Sequence, residues 1–260
     1  MRSITAVFIF FMFFNAKAQS YLDYYFKANN INGAIVIYDA NKDEWLFNTE
    51  SEPFYNTPAG AHFHLWQALV GLEEKIFKID VNEKLKWDGV KRSSFEGRMP
   101  EWNADTNLID ALKNQNDWYF NVLKDKLSAE SYEKNIKNAS FLKEVKNNEW
   151  EYFWNYAAFT NPNSMILFLK DLHDNKLPFH KKSQQFLFNQ LLANQQLALH
   201  TTTTSYLGKK IDWTVGIYLK QSKPIYFSLR TYTSLESDAL ADYDKRKNLI
   251  LAQIFEVLGY

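Results

Sequence analysis

Apolar and polar positions divide the chain into strands, a long helical middle and strands again. Gly33-Ala34-Ile35-Val36-Ile37-Tyr38-Asp39 is a β-branched run, and Ala40-Asn41-Lys42-Asp43 is polar turn material. Glu44-Trp45-Leu46-Phe47-Asn48 returns as a second strand, so the pattern predicts a β-hairpin. A short amphipathic lead-in precedes it over residues 19–30. Pro58 and Gly60 then mark a turn. Phe63, Leu65, Ala68, Leu69 and Leu72 recur at helical spacing, with few charges before Glu73. A helix from Ala61 to Glu73 that is apolar on most faces belongs inside a domain. Its amino end would offer backbone N–H groups and a positive dipole to an anion.

From Ile76 to about Gln196 helical patterns alternate with polar loops. Leu108 to Leu127 contains one helix, and Ser164 to Leu172 and Lys182 to Leu192 predict two more. Strand patterns resume at Thr201 to Thr204, Trp213 to Leu219 and Pro224 to Leu229, with Gln221-Ser222-Lys223 as a turn. Lys245 to Leu258 reads as a final helix. Strands from both chain ends around a helical insertion imply an α+β fold, with one sheet shared by the two ends. The expectation is a single domain over residues 19–260, with a helical subdomain at about 76–196.

Composition narrows the function classes. The 260 residues are 46% hydrophobic, ample for a core. Thirty basic residues balance thirty acidic ones, so no basic face points to nucleic acid. Met1-Arg2-Ser3 followed by the apolar run Ile4 to Phe14 and then Ala16-Lys17-Ala18 has the form of a signal peptide. Residues 1–18 are expected to be removed, leaving an exported, periplasmic protein that starts at Gln19 and keeps no membrane span. The absence of cysteine excludes disulfides and thiolate chemistry.

Several stretches resemble class D serine β-lactamases, the oxacillinase type. Trp87-Asp88-Gly89-Val90-Lys91-Arg92 is similar to the family's W-D-G-x-x-R segment, and Pro100-Glu101-Trp102-Asn103-Ala104-Asp105 to its P-x-W-N-x-D segment. Trp118-Tyr119-Phe120 resembles the helix that carries the second motif. Phe153-Trp154 and Asn175-Lys176-Leu177-Pro178-Phe179 resemble later landmarks, and Trp213-x-Val215-Gly216 the strand after the third motif. The resemblance runs from about Gly33 to the C-terminus. It implies the β-lactamase/transpeptidase fold: an antiparallel sheet flanked by helices, an inserted helical subdomain, and a site between them.

The catalytic positions depart from the family. The S-x-x-K motif matches Ala61-His62-Phe63-His64, placing Ala61 at the nucleophile and His64 at the lysine. The second motif, S-x-V, falls on Gln115-Asn116-Asp117, and the third, K-T-G, on Thr201-Thr202-Thr203. The arginine that holds the substrate carboxylate corresponds to Arg246 or Lys247. The ligand-binding set implied by the resemblance is Ala61, His64, Gln115, Trp154, Thr202 and Arg246.

Acylation needs a nucleophile, a base and oxyanion donors, and alanine cannot attack. Loss of a nucleophile alone costs roughly six orders of magnitude in subtilisin. The first expectation is therefore a pseudoenzyme that binds a β-lactam, a cell-wall peptide or a partner protein of unknown identity, without a cofactor. One alternative is a weak hydrolase with a rearranged site, using His64 with a threonine or water. Another is a structural or interaction module. His62 and His64 form an H-x-H pair, but residues two apart on a helix face different ways, so no metal site is expected.

Overall fold

The computed structural model of the chain describes residues 21–49, 54–94, 97–128, 130–131, 134–135, 158–219, 222–236 and 242–260. The leader, residues 1–18, and Trp154 lie outside the described residues. A helical segment over residues 21–28 leads into β1 (Asn32–Asp39) and β2 (Glu44–Phe47). β3 (Thr57–Pro58) precedes the buried α1 (His62–Glu73). The middle of the chain carries β4 (Ser93–Ser94), β5 (Gly97–Arg98), α2 (Leu108–Lys113), α3 (Asp117–Lys126), β6 (Phe159–Thr160), α4 (Pro162–His173) and α5 (Lys181–Leu191). It ends with β7 (Leu192–Asn194), β8 (Leu197–Tyr206), β9 (Lys209–Tyr218), β10 (Ile225–Ser234) and α6 (Tyr243–Leu258).

Six strands form one antiparallel sheet in the order β2-β1-β10-β9-β8-β7. The join between the chain ends is the β1–β10 ladder, which runs from Asn32 opposite Tyr232 to Asp39 opposite Ile225. The α+β class and the shared sheet are therefore as the alternation implied. That alternation also sorts side chains to two faces. Val36, Trp213, Val215, Ile217 and Tyr226 join the core built with α1 to α5. Ile35, Ile37, Phe227 and Leu229 pack instead with the N-terminal segment and Ile250 and Ile254 of α6.

Ten of the twelve residues of α1 are buried, which is why its pattern lacks a polar face. Gly71 lets α1 approach the chain that follows it: a Cβ there would lie 2.1 Å from Cδ2 of buried Phe77. Gly71→Ala gains about 1 kcal/mol of helix propensity but overpacks the core at a cost of about 1–3 kcal/mol. A net loss of stability is expected, read as a lower midpoint in urea denaturation.

The two segments that resemble family landmarks hold each other. Asn103 accepts from the Arg92 N–H at 2.8 Å and donates to the Arg92 carbonyl at 3.0 Å. Asp105 accepts from the Trp87 N–H at 3.0 Å and from Lys86 Nζ at 2.9 Å. These polar residues tie two loops together.

One expected element differs. The single helix between Leu108 and Leu127 is two, α2 and α3, separated at Asn114-Gln115-Asn116. Gln115 adopts the left-handed conformation, with φ +50°. The Asn116 N–H donates to the Ala111 carbonyl at 2.9 Å, and the Gln115 N–H to Leu112 at 3.3 Å. This is a Schellman ending, which turns the chain out of the helix. Apolar periodicity continues across the break, so it alone does not reveal it.

Candidate functional site

The amino end of α1, the α2–α3 turn and the edge of β8 converge on one cleft. The turn before α1 is fixed from below: Trp213 Nε1 donates to the Pro58 carbonyl at 3.0 Å. Gly60, with φ +55°, brings the turn against β8, where a Cβ would lie 2.8 Å from Thr202 Oγ1. Ala61 follows, buried, as the N-cap residue of α1.

The Ala61 N–H donates to Thr202 Oγ1 at 2.9 Å. The expectation that this N–H faces an incoming anion is therefore corrected: a β8 hydroxyl already accepts it. Thr203, two pleats' spacing from Thr201 on the same strand, donates Oγ1–H to Asp212 Oδ1 at 2.5 Å. Gln115 reaches across from the α2–α3 turn, and its Nε2 donates to the Thr201 carbonyl at 2.7 Å. Three bonds thus engage Ala61, Gln115, Thr201, Thr202 and Thr203, which the resemblance aligns with the catalytic motifs, with one another or with the neighbouring strand.

His64 is buried, and its Nε2 lies 2.9 Å from Asp117 Oδ1. Its ring stacks on Phe120 with centroids 4.4 Å apart. Its Nδ1 is buried without a hydrogen-bond partner among the described residues. His64 makes no bond to a hydroxyl among those residues, so the base–nucleophile contact of acyl transfer is missing.

His62 points the other way. Its Nδ1 lies 2.7 Å from His200 Nδ1, and its ring meets Trp213 edge-on. A bond between two imidazole nitrogens needs one donor and one acceptor, so the two rings cannot both be protonated. Burial pushes the His62 pKa well below the ordinary value, helped by the charges of His200 and His64. Burial and then His64 hold His200 down at about 3. The H-x-H pair is split between β8 and α3. Among the described residues no three His, Cys, Asp or Glu side chains are grouped to hold a metal ion.

A polar cleft of about 560 Å³ lies along β8, lined among others by Asn114, Gln115, Thr201, Thr202, Thr203 and Asp212. Lys247 of α6 lines it too, its Nζ 3.5 Å from Asp212 Oδ1 and 2.9 Å from Asp244 Oδ1. Arg246 does not belong to it. Its Nη1 donates to the Asn29 and Asn30 carbonyls, behind the N-terminal segment. Neighbouring residues on a helix point about 100° apart, so Lys247 faces the cleft while Arg246 turns away from it. Asp212 and its partner Lys210 were not singled out by the sequence. Their signal is a carboxylate and a lysine among the apolar residues of a strand, Lys-Lys-Ile-Asp-Trp.

No family model matches the chain. It is similar to the probable β-lactamase YbxI of Bacillus subtilis (strain 168), 27% identical over 192 residues, covering 71% of this chain and 68% of that protein. It is 22% identical over 202 residues to the regulatory protein BlaR1 of Staphylococcus aureus, covering 76% of this chain but only 34% of BlaR1. The chain therefore spans about a third of that relative. Among solved structures, a class D β-lactamase from Sebaldella termitidis superposes with a TM-score of 0.78 and 24% identity, covering 92% of this chain and 95% of the other. The chain is thus similar in sequence to a probable β-lactamase and shares the fold of class D β-lactamases.

Proposed function

We propose that this is an exported β-lactamase-fold pseudoenzyme, which binds a β-lactam or a cell-wall peptide without forming an acyl-enzyme. The observation that carries the reading is the Ala61 N–H donating to Thr202 Oγ1. A methyl group stands where the family's nucleophile would be, and the helix-end N–H that would stabilise an oxyanion is already bonded. The polar cleft of about 560 Å³ supports binding, since it is within the range of small-molecule sites. Export follows from the leader-like residues 1–18.

Fluorescent penicillin, run on a denaturing gel beside a class D β-lactamase control, tests this reading. The control should label and this protein should not. A labelled band would overturn the proposal, and the modified residue would name a surrogate nucleophile. That outcome would favour a weak hydrolase with His64 as base. The pairing of His64 with Asp117 supports this second reading, because it is the base–orienter half of a catalytic triad.

A further inference from the structure

Behind the Gln115–Thr201 bridge lies a second chamber, of about 300 Å³. Leu65 of α1, Ile109 and Leu112 of α2, and Leu187 and Leu191 of α5 wall it. Gln115, Thr201 and Lys113 line both this chamber and the polar cleft, so they stand at the boundary between the two. Among the described residues Lys113 is the one lysine or arginine on the chamber wall, and none of the lining residues is acidic. Its side chain takes part in no ion pair among the described residues. His200 also reaches the wall, and is neutral at pH 7 because burial holds its pKa down at about 3. A chamber with leucines on one side, and with glutamine, threonine and a single lysine on the other, is complementary to an amphiphile with one negative charge.

We propose that this chamber binds a short aliphatic carboxylate, its chain among the leucines and its head group at the boundary beside Lys113 and the Gln115 amide. The Gln115 Nε2 has a second N–H to offer after bonding Thr201. The volume is at the small end of ligand sites, which suits a short single chain rather than a fused-ring molecule. This inference does not depend on whether the polar cleft acylates.

Titration calorimetry with butanoate, hexanoate and octanoate, and with octanol and octylammonium as controls, tests it on the intact protein. Affinity should rise about fourfold for each methylene that enters the chamber. Octanoate should bind more tightly than octylammonium. Lys113→Gln should weaken octanoate by up to roughly fivefold, the worth of a part-exposed ion pair, and leave octanol unchanged. Ile109→Trp and Gln190→Trp should each fill the chamber and abolish binding of both. Ile109 is part-exposed and Gln190 exposed, and circular dichroism checks that each variant folds. The proposal is overturned if affinity does not grow with chain length, if both tryptophan variants bind like the parent, or if octylammonium binds as well as octanoate.

Discussion

Ala61→Ser alone leaves nitrocefin hydrolysis at the level of the buffer blank. A serine hydroxyl is a weak nucleophile without a base in reach. Among the described residues no base is seated against a hydroxyl here: His64 stacks on Phe120 and bonds no hydroxyl, and the position-61 N–H is bonded to Thr202. Adding His64→Lys restores the S-x-x-K spacing but sets an ammonium beside Asp117. An opposite charge at that distance holds a lysine protonated, which disables it as a base. Gln115→Ser, Thr201→Lys and Thr203→Gly restore the other motif positions without removing that carboxylate. Measurable turnover is therefore expected only when Asp117→Val joins those five changes. Even then it should fall orders of magnitude short of an ordinary β-lactamase, because catalytic groups act as a unit and need a supporting shell. If Ala61→Ser alone approached an ordinary rate, the site would be intact and the decay of the whole constellation refuted.

Acid should unfold the protein through the His62–His200 pair. Both imidazoles are held neutral in the fold, with pKa values below the ordinary 6.5. The unfolded chain therefore binds more protons between pH 6.5 and about 3, so stability is complete above pH 6.5 and falls as pH drops through that window. The slope is about 1.4 kcal/mol per pH unit for each such histidine. The groups facing the pair are His64 and Trp213, with no carboxylate bonded to either ring. Urea midpoints measured from pH 7.5 to pH 4 should fall steeply in the parent and less steeply in His200→Gln. Parallel slopes would show that the pair does not titrate in this way.

The fold was legible because its signals are long and local. Alternation in β1 and β10 placed both chain ends in one sheet, and the featureless apolar run of α1 placed that helix inside. The segments Trp87 to Arg92 and Pro100 to Asp105 were readable as landmarks because their polar residues tie two loops together. The bonds that the replacements at the motif positions make were not readable. Thr202 caps Ala61 across 141 positions in sequence, and Gln115 reaches Thr201 across 86. The α2–α3 break escaped notice because it depends on the left-handed φ of Gln115, which a non-glycine residue does not advertise. The choice between Arg246 and Lys247 turned on helix phase relative to the cleft, which sequence alone does not supply.

The most direct measurement is the intact mass of the purified protein after incubation with excess benzylpenicillin. The proposed loss of acylation rests on a methyl group at position 61, a bonded N–H behind it and a histidine paired with Asp117. The expected spectrum shows the unmodified mass alone, while a class D β-lactamase trapped in parallel shows its adduct. A stoichiometric increase by one penicillin in this protein would contradict the loss of acylation.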